Sequence, residues 1–223
     1  MADFRTHLSV AAGGGVLLAL GGWQATLWMP TEALSMAVLT AFGGILPDID
    51  SDNSHAIRLI FTLVAMLAVI AGVLSLRGQV TLGVLLLICV GFYVGVRYAL
   101  SELFKRFTVH RGIWHSLLAA AFCGLGVSAL SYQLLMQSAW IAWAQGLALV
   151  LGSVIHLLLD EMYSVDLAGT RIKRSFGTAF KLFAYREPVN SLLLLALAVG
   201  LAPWLPPWSA LVELLAQSTR LWR

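Results

Sequence analysis

Residues 139–160 read AWIAWAQGLALVLGSVIHLLLD. A bilayer core about 30 Å thick takes about 20 apolar residues of helix, and this stretch is that long. His156 and Asp160 stand four apart at its C-terminal end. On a helix that spacing puts both side chains on one face, about 40° apart and one turn removed. One metal ion can take both, or the two can simply hydrogen-bond along the helix. The residues between them are all leucine, so the pair is a polar stripe at the end of an apolar helix.

Outward from this stretch the whole chain has the same character. Its 223 residues are 60% hydrophobic and 11% charged, with a mean hydropathy of +0.87. Such a composition cannot clothe a soluble globule in polar surface and reads as an integral membrane protein. Seven apolar segments lie between charged or turn residues: Leu8–Met29, Glu32–Leu46, Ala56–Leu76, Val80–Leu100, Ile113–Leu135, Ala139–Leu159 and Val189–Trp204. The expected fold is all-α, a polytopic transmembrane helical bundle of about seven spans, built as a single integral membrane domain over residues 1–223. A C-terminal interfacial helix follows from Trp208, with Leu211, Val212, Leu214 and Leu215 set against Glu213 and Gln217. Segment Glu32–Leu46 is short, so it either spans a thinned bilayer or re-enters.

Cytoplasmic loops retain Lys and Arg. In the seven-span reading Arg5, Arg58, Arg97, Lys105, Arg106, Arg111, Arg171, Lys173, Arg174, Lys181 and Arg186 fall on one side and Arg77 on the other. The N-terminus and the four motifs that gather the chain's histidines and aspartates are therefore expected on the cytoplasmic side. Arg171–Arg186 interleaves its cations with Phe176, Phe180, Leu182 and Phe183, as an element facing anionic lipid would, or as ordinary positive-inside bias. Cys89 and Cys123 lie inside apolar segments and read as small hydrophobes. Arg5 before an apolar run resembles a signal peptide, but no small-residue cleavage site follows the Gly-rich run.

Ionisable groups in hydrocarbon cost about 2.5–3.5 kcal/mol each, so those that persist call for a reason. Seven of the carboxylates and imidazoles gather in four short motifs: His7, Asp48 with Asp50, His110 with His115, and His156 with Asp160. His7 opens the first segment, Asp48 closes the second, His110 precedes the fifth and His156 closes the sixth, so one membrane face receives all four. Asp48 and Asp50 point the same way in an extended turn. The run from Asp48 is not an EF-hand, because Asn53 and Leu59 stand where Gly and Glu are required. Asp52 and Ser54 suit helix capping, and His55 suits a solvent-facing position. His110 and His115 can face one site if His110 precedes the first helical turn; Arg111 would then stand ready for a phosphate or oxyanion, and Ser116 for a ligand or for orienting His115. The donor set holds nitrogen and oxygen but no sulfur, which suits zinc, manganese or iron, as one or two ions.

His7, Pro47-Asp48-x-Asp50, His110-Arg111-Gly112-x-x-His115-Ser116 and His156-x-x-x-Asp160 together resemble the YdjM family of inner-membrane, metal-dependent hydrolases, over roughly residues 3–165. The resemblance implies His7, Asp48, Asp50, His110, His115, His156 and Asp160 as metal or catalytic residues, in a family with members under LexA control. Trp114 departs from the smaller residue expected there, and the basic segment beyond residue 165 has no counterpart in the motif set.

The expected function is hydrolysis at a cytoplasm-facing metal centre, with Arg111 stabilising negative charge and Asp50 or His115 moving the proton. Phosphate esters of membrane lipids are the favoured substrate, because basic side chains surround a site at headgroup depth. The rivals are a divalent-ion transporter, which would place its ligands near the midplane, and a non-enzymatic membrane protein with a structural metal. No nucleic-acid partner is expected, and the oligomeric state cannot be read from the sequence.

Overall fold

In a computed structural model of the chain, residues 3–50, 55–107, 112–166, 171–172, 180–185 and 187–220 are described. The helices are α1 (Phe4–Gln24), α2 (Pro30–Gly43), α3 (His55–Leu76), α4 (Leu82–Val94), α5 (Ser101–Phe107), α6 (Leu117–Gln133), α7 (Ala139–Met162), α8 (Pro188–Gly200) and α9 (Trp208–Arg220). A two-residue antiparallel ladder joins β1 (Val165–Asp166) to β2 (Arg171–Ile172), so the basic segment starts as extended chain. Each apolar segment of the sequence contains a helix. Seven full-length spans are not confirmed: among the described residues three helices, His55–Leu76, Leu82–Lys105 and Ala139–Met162, are long and apolar enough to cross a membrane. A fourth crossing is available if Pro188–Trp204 and Trp208–Ser218, bent by 98°, act as one span. At 1.5 Å per residue, α2 covers only about 21 Å and α8 about 20 Å of a core about 30 Å thick. In α1 the glycines dilute the hydropathy.

The described chain forms two compact units, residues 1–47 with 113–223, and residues 48–112. In the first, α7 is the central helix, touching α1, α2, α6 and α9. Small residues let these backbones approach, as helix association in lipid requires. A Cβ on Gly152 of α7 would run into the Thr40 carbonyl of α2, and one on Gly43 into the Leu149 carbonyl of α7. Ser153 Oγ donates to the Gly43 carbonyl at 3.2 Å across the same interface. Nearer the α7 N-terminus, Gln145 Nε2 donates to Ser35 Oγ at 3.0 Å, and Ser131 Oγ of α6 donates to Gln145 Oε1. At that end Trp143 Nε1 donates to the Pro207 carbonyl at 3.1 Å, and the Trp143 and Trp208 rings lie 4.9 Å apart, which docks the start of α9.

Local chemistry sets the helix ends. Asp3 accepts from Thr6 N at 2.8 Å and caps α1, so the helix begins before the apolar run at Leu8. Pro30 opens α2, with Glu32 Oε2 accepting from Met29 N at 2.7 Å. The fifth segment was expected to be helical from Ile113, but α6 begins only at Leu117. Ser116 is extended, and its Oγ accepts from Ala119 N, which makes it the cap.

The second unit contains α3, α4 and α5. A π-helical stretch, Gly95–Leu100, links α4 to α5, and Gly78 turns between α3 and α4 with φ of 81°. Phe61 of α3 meets Phe104 of α5 edge to face, with centroids 5.5 Å apart. No residue of α4 is buried, and Leu87 is 73% exposed. An apolar helix with no buried face is stable in lipid, not in water.

Candidate metal centre

The first unit gathers four helix ends at one place: the starts of α1 and α6 and the ends of α2 and α7. His7 lies in the first turns of α1, His115 just before the cap of α6, and His156 and Asp160 near the end of α7. None of the four is more than 1% exposed. His7 Nε2 stands 3.2 Å from Asp160 Oδ1, while His115 Nε2 and His156 Nε2 stand 3.9 and 4.0 Å from Asp160 Oδ2. The His7 and His156 rings stack at 3.7 Å and 14°, and the His115 ring meets His156 edge-on at 5.6 Å.

His156 Nδ1 lies 2.7 Å from the carbonyl oxygen of Gly44, the C-cap of α2. Only a protonated Nδ1 can make that hydrogen bond, so the neutral ring keeps the Nε2 lone pair on the side of Asp160. A second nitrogen tied to a backbone carbonyl is the usual way a metal-binding histidine is oriented. Asp160 sits in the last turn of α7, where the helix dipole is negative and disfavours a carboxylate. A buried carboxylate there needs positive charge or strong donors around it. One ligand atom each from His7, His156 and Asp160 lie within 4.8 Å of one another, close enough to share an ion. The nitrogen and oxygen donors, their burial and the oriented imidazole all fit a divalent cation.

Asp48 and Asp50 lie on the 3-10 turn Leu46–Asp50 that follows α2, at the start of the second unit. His110, Arg111 and Asp52 lie outside the described residues. His55 is exposed at the start of α3, as its position in the sequence suggested. Ser116, expected to bind a ligand or orient His115, instead donates to the Ile113 carbonyl at 2.5 Å and caps α6. The sequence reading missed the Gly44 carbonyl as the anchor of His156. A signal for it existed in Gly43-Gly44 just ahead of the Pro47-Asp48 motif, and in Gly152-Ser153 one turn before His156.

Apolar helices with exposed hydrophobic faces and a buried His/Asp cluster at the helix ends define an integral membrane protein with a candidate metal centre. A family profile described as YdjM inner membrane protein matches residues 1–218, and the chain belongs to that family. No curated protein and no solved structure matches it.

Proposed function

We propose that the chain is a metal-dependent hydrolase acting on phosphate esters of lipids at the cytoplasmic face of the inner membrane. The observation that carries this reading is the buried His7, His156 and Asp160 group, with three donor atoms within 4.8 Å and His156 held by Gly44. A divalent cation, zinc or manganese, would supply Lewis acidity there and bring the pKa of water toward neutrality. His115 is close enough to Asp160 to serve as a further ligand or to hold the proton leaving the attacking water. The family resemblance implies Asp48, Asp50 and His110 as further metal or catalytic residues, with Asp50 the alternative base and Arg111 a group to balance charge on the phosphate. In the proposed reaction the water oxygen bonds phosphorus as the ester P–O bond breaks, and the held proton passes to the leaving alcohol.

Ion transport fits less well. The ligands gather at one end of α7, while toward its middle Gly152 and Gly43 press against the opposing backbones and Leu149 is buried. A structural metal makes a different prediction, binding without turnover.

The test is elemental mass spectrometry of detergent-purified protein beside His156→Ala and Asp160→Ala, followed by hydrolysis of phosphatidic acid in mixed micelles. The expected result is stoichiometric metal in the wild type, lost in both variants together with phosphate release. A wild type that takes up no zinc, manganese or iron sinks the reading, and bound metal without hydrolysis favours the structural role.

A further inference from the structure

We infer that the apolar groove between α6 and α8 is an acyl-chain site, which holds one fatty-acyl chain of an anionic phospholipid while its headgroup lies toward the His/Asp cluster. The fate of the headgroup rests on the hydrolase reading; the binding of the chain does not.

The groove is open on one side and offers about 570 Å³ between Leu117 and Leu118 of α6, Leu182 and Phe183 of the preceding segment, and Leu192 and Leu195 of α8. That lies within the roughly 300–1,000 Å³ usual for ligand sites. Its polar groups are already engaged by the protein. Ser191 Oγ donates to the Ala184 carbonyl at 3.2 Å, and the Leu117 and Leu118 amides donate to the carbonyls of Lys181 and Leu182 at 2.9 and 3.0 Å. Hydrocarbon is therefore the ligand that gains most by entering.

Position and charge select the occupant. Leu117 follows His115 by two residues, so the α6 end of the groove begins beside the candidate centre. The adjoining face of α8 is open, with Leu192 65% and Leu193 59% exposed, and so continues the lipid-facing surface. A chain can enter sideways from the bilayer. Lys181 stands at the segment that closes the groove, and Arg171, Lys173, Arg174 and Arg186 flank it in sequence, which favours an anionic headgroup. A partner helix about 10–12 Å across would fill this volume in about one turn, whereas a linear chain can run along it.

The test uses the full-length protein in phosphatidylcholine nanodiscs containing phosphatidic acid with a diazirine in one acyl chain. After photolysis the adducts are mapped by peptide mass spectrometry, with Leu86 and Leu87 of α4 as the bulk-lipid reference. Adducts should concentrate on residues 117–118 and 192–195. Leu192→Trp and Leu195→Trp, which add bulk at positions open to lipid, should each reduce that enrichment about tenfold by overpacking the space the chain would occupy. The same diazirine on phosphatidylcholine should show no enrichment. Even labelling of α4 and α8, enrichment that survives both tryptophans, or equal enrichment with the choline lipid overturns the proposal. Metal content measured in parallel separates the two claims: groove labelling in a wild type that binds no metal supports the acyl site and removes the hydrolase.

Discussion

His156 lies against the Gly44 carbonyl, Asp160 and the rings of His7 and His115, and the first two set its role. Its Nδ1–H is spent on the Gly44 carbonyl, so Nε2 is the atom left for an ion, and Asp160 supplies the charge. Asp160→Asn keeps the shape but removes that charge. It should melt cooperatively yet lose the rise in Tm that zinc or manganese gives the wild type by binding the folded state; an unchanged metal-dependent shift would remove Asp160 from the ligand set. Ser116→Ala should behave in the opposite way, costing about 1 kcal/mol by uncapping α6 while metal content stays the same. Asp3 makes a pH prediction. Hydrogen bonds from the Thr6 hydroxyl and amide hold its carboxyl below the usual range, so its cap is complete above the unfolded pKa of about 4 and is lost as pH falls through the lower folded value. The protection factor of the Thr6 amide, taken relative to intrinsic exchange at each pH, should fall on that descent in the wild type and show no such pH step in Asp3→Ala. The identities of His7, His115, His156 and Asp160 were legible as polar exceptions in an apolar chain. Ser116 was misread, because a serine before an apolar run serves equally as a cap or a ligand until the backbone is seen.

At the scale of the helix, close approach rather than side-chain chemistry holds the centre together. Gly152→Val would drive its Cβ into the Thr40 carbonyl, a backbone atom that cannot swing aside. Overpacking of this kind costs about 1–3 kcal/mol or more, and because it pushes α2 from α7 it should also lower metal occupancy. Gly126→Ala in α6 is the control. Its Cβ meets nothing within 4 Å, so the change should be neutral or stabilise by up to about 1 kcal/mol in a detergent melt. Equal damage from both substitutions would mean that the α2–α7 contact is not what positions His156. The apolar segments could be found in the sequence because hydrophobicity is a local property. Their ends were less legible: α1 starts early at the Asp3 cap, α6 starts late at Ser116, and Leu82–Lys105 carries a π-helical stretch.

For the molecule as a whole, the basic residues predict sidedness. With Cys89 and Cys123 replaced, a cysteine at Gln79, beside Arg77 and Gly78, should react with an impermeant maleimide in intact spheroplasts, and one at Glu187 only after lysis. The reverse pattern would put the candidate centre on the outer face. Membrane character and the YdjM resemblance follow from the sequence alone, because composition and motif spacing carry that information, and the parity of the apolar segments gives the expectation that four motifs share one membrane face. The structure agrees for the first unit, where the starts of α1 and α6 meet the ends of α2 and α7. Only tertiary structure decides which helices are long enough to span, that Gly44 aims His156, and that His7 stacks on His156 across a helix boundary. Those outcomes depend on how closely two backbones approach and on where a carbonyl comes to lie, and residues more than a hundred positions apart in the chain set both.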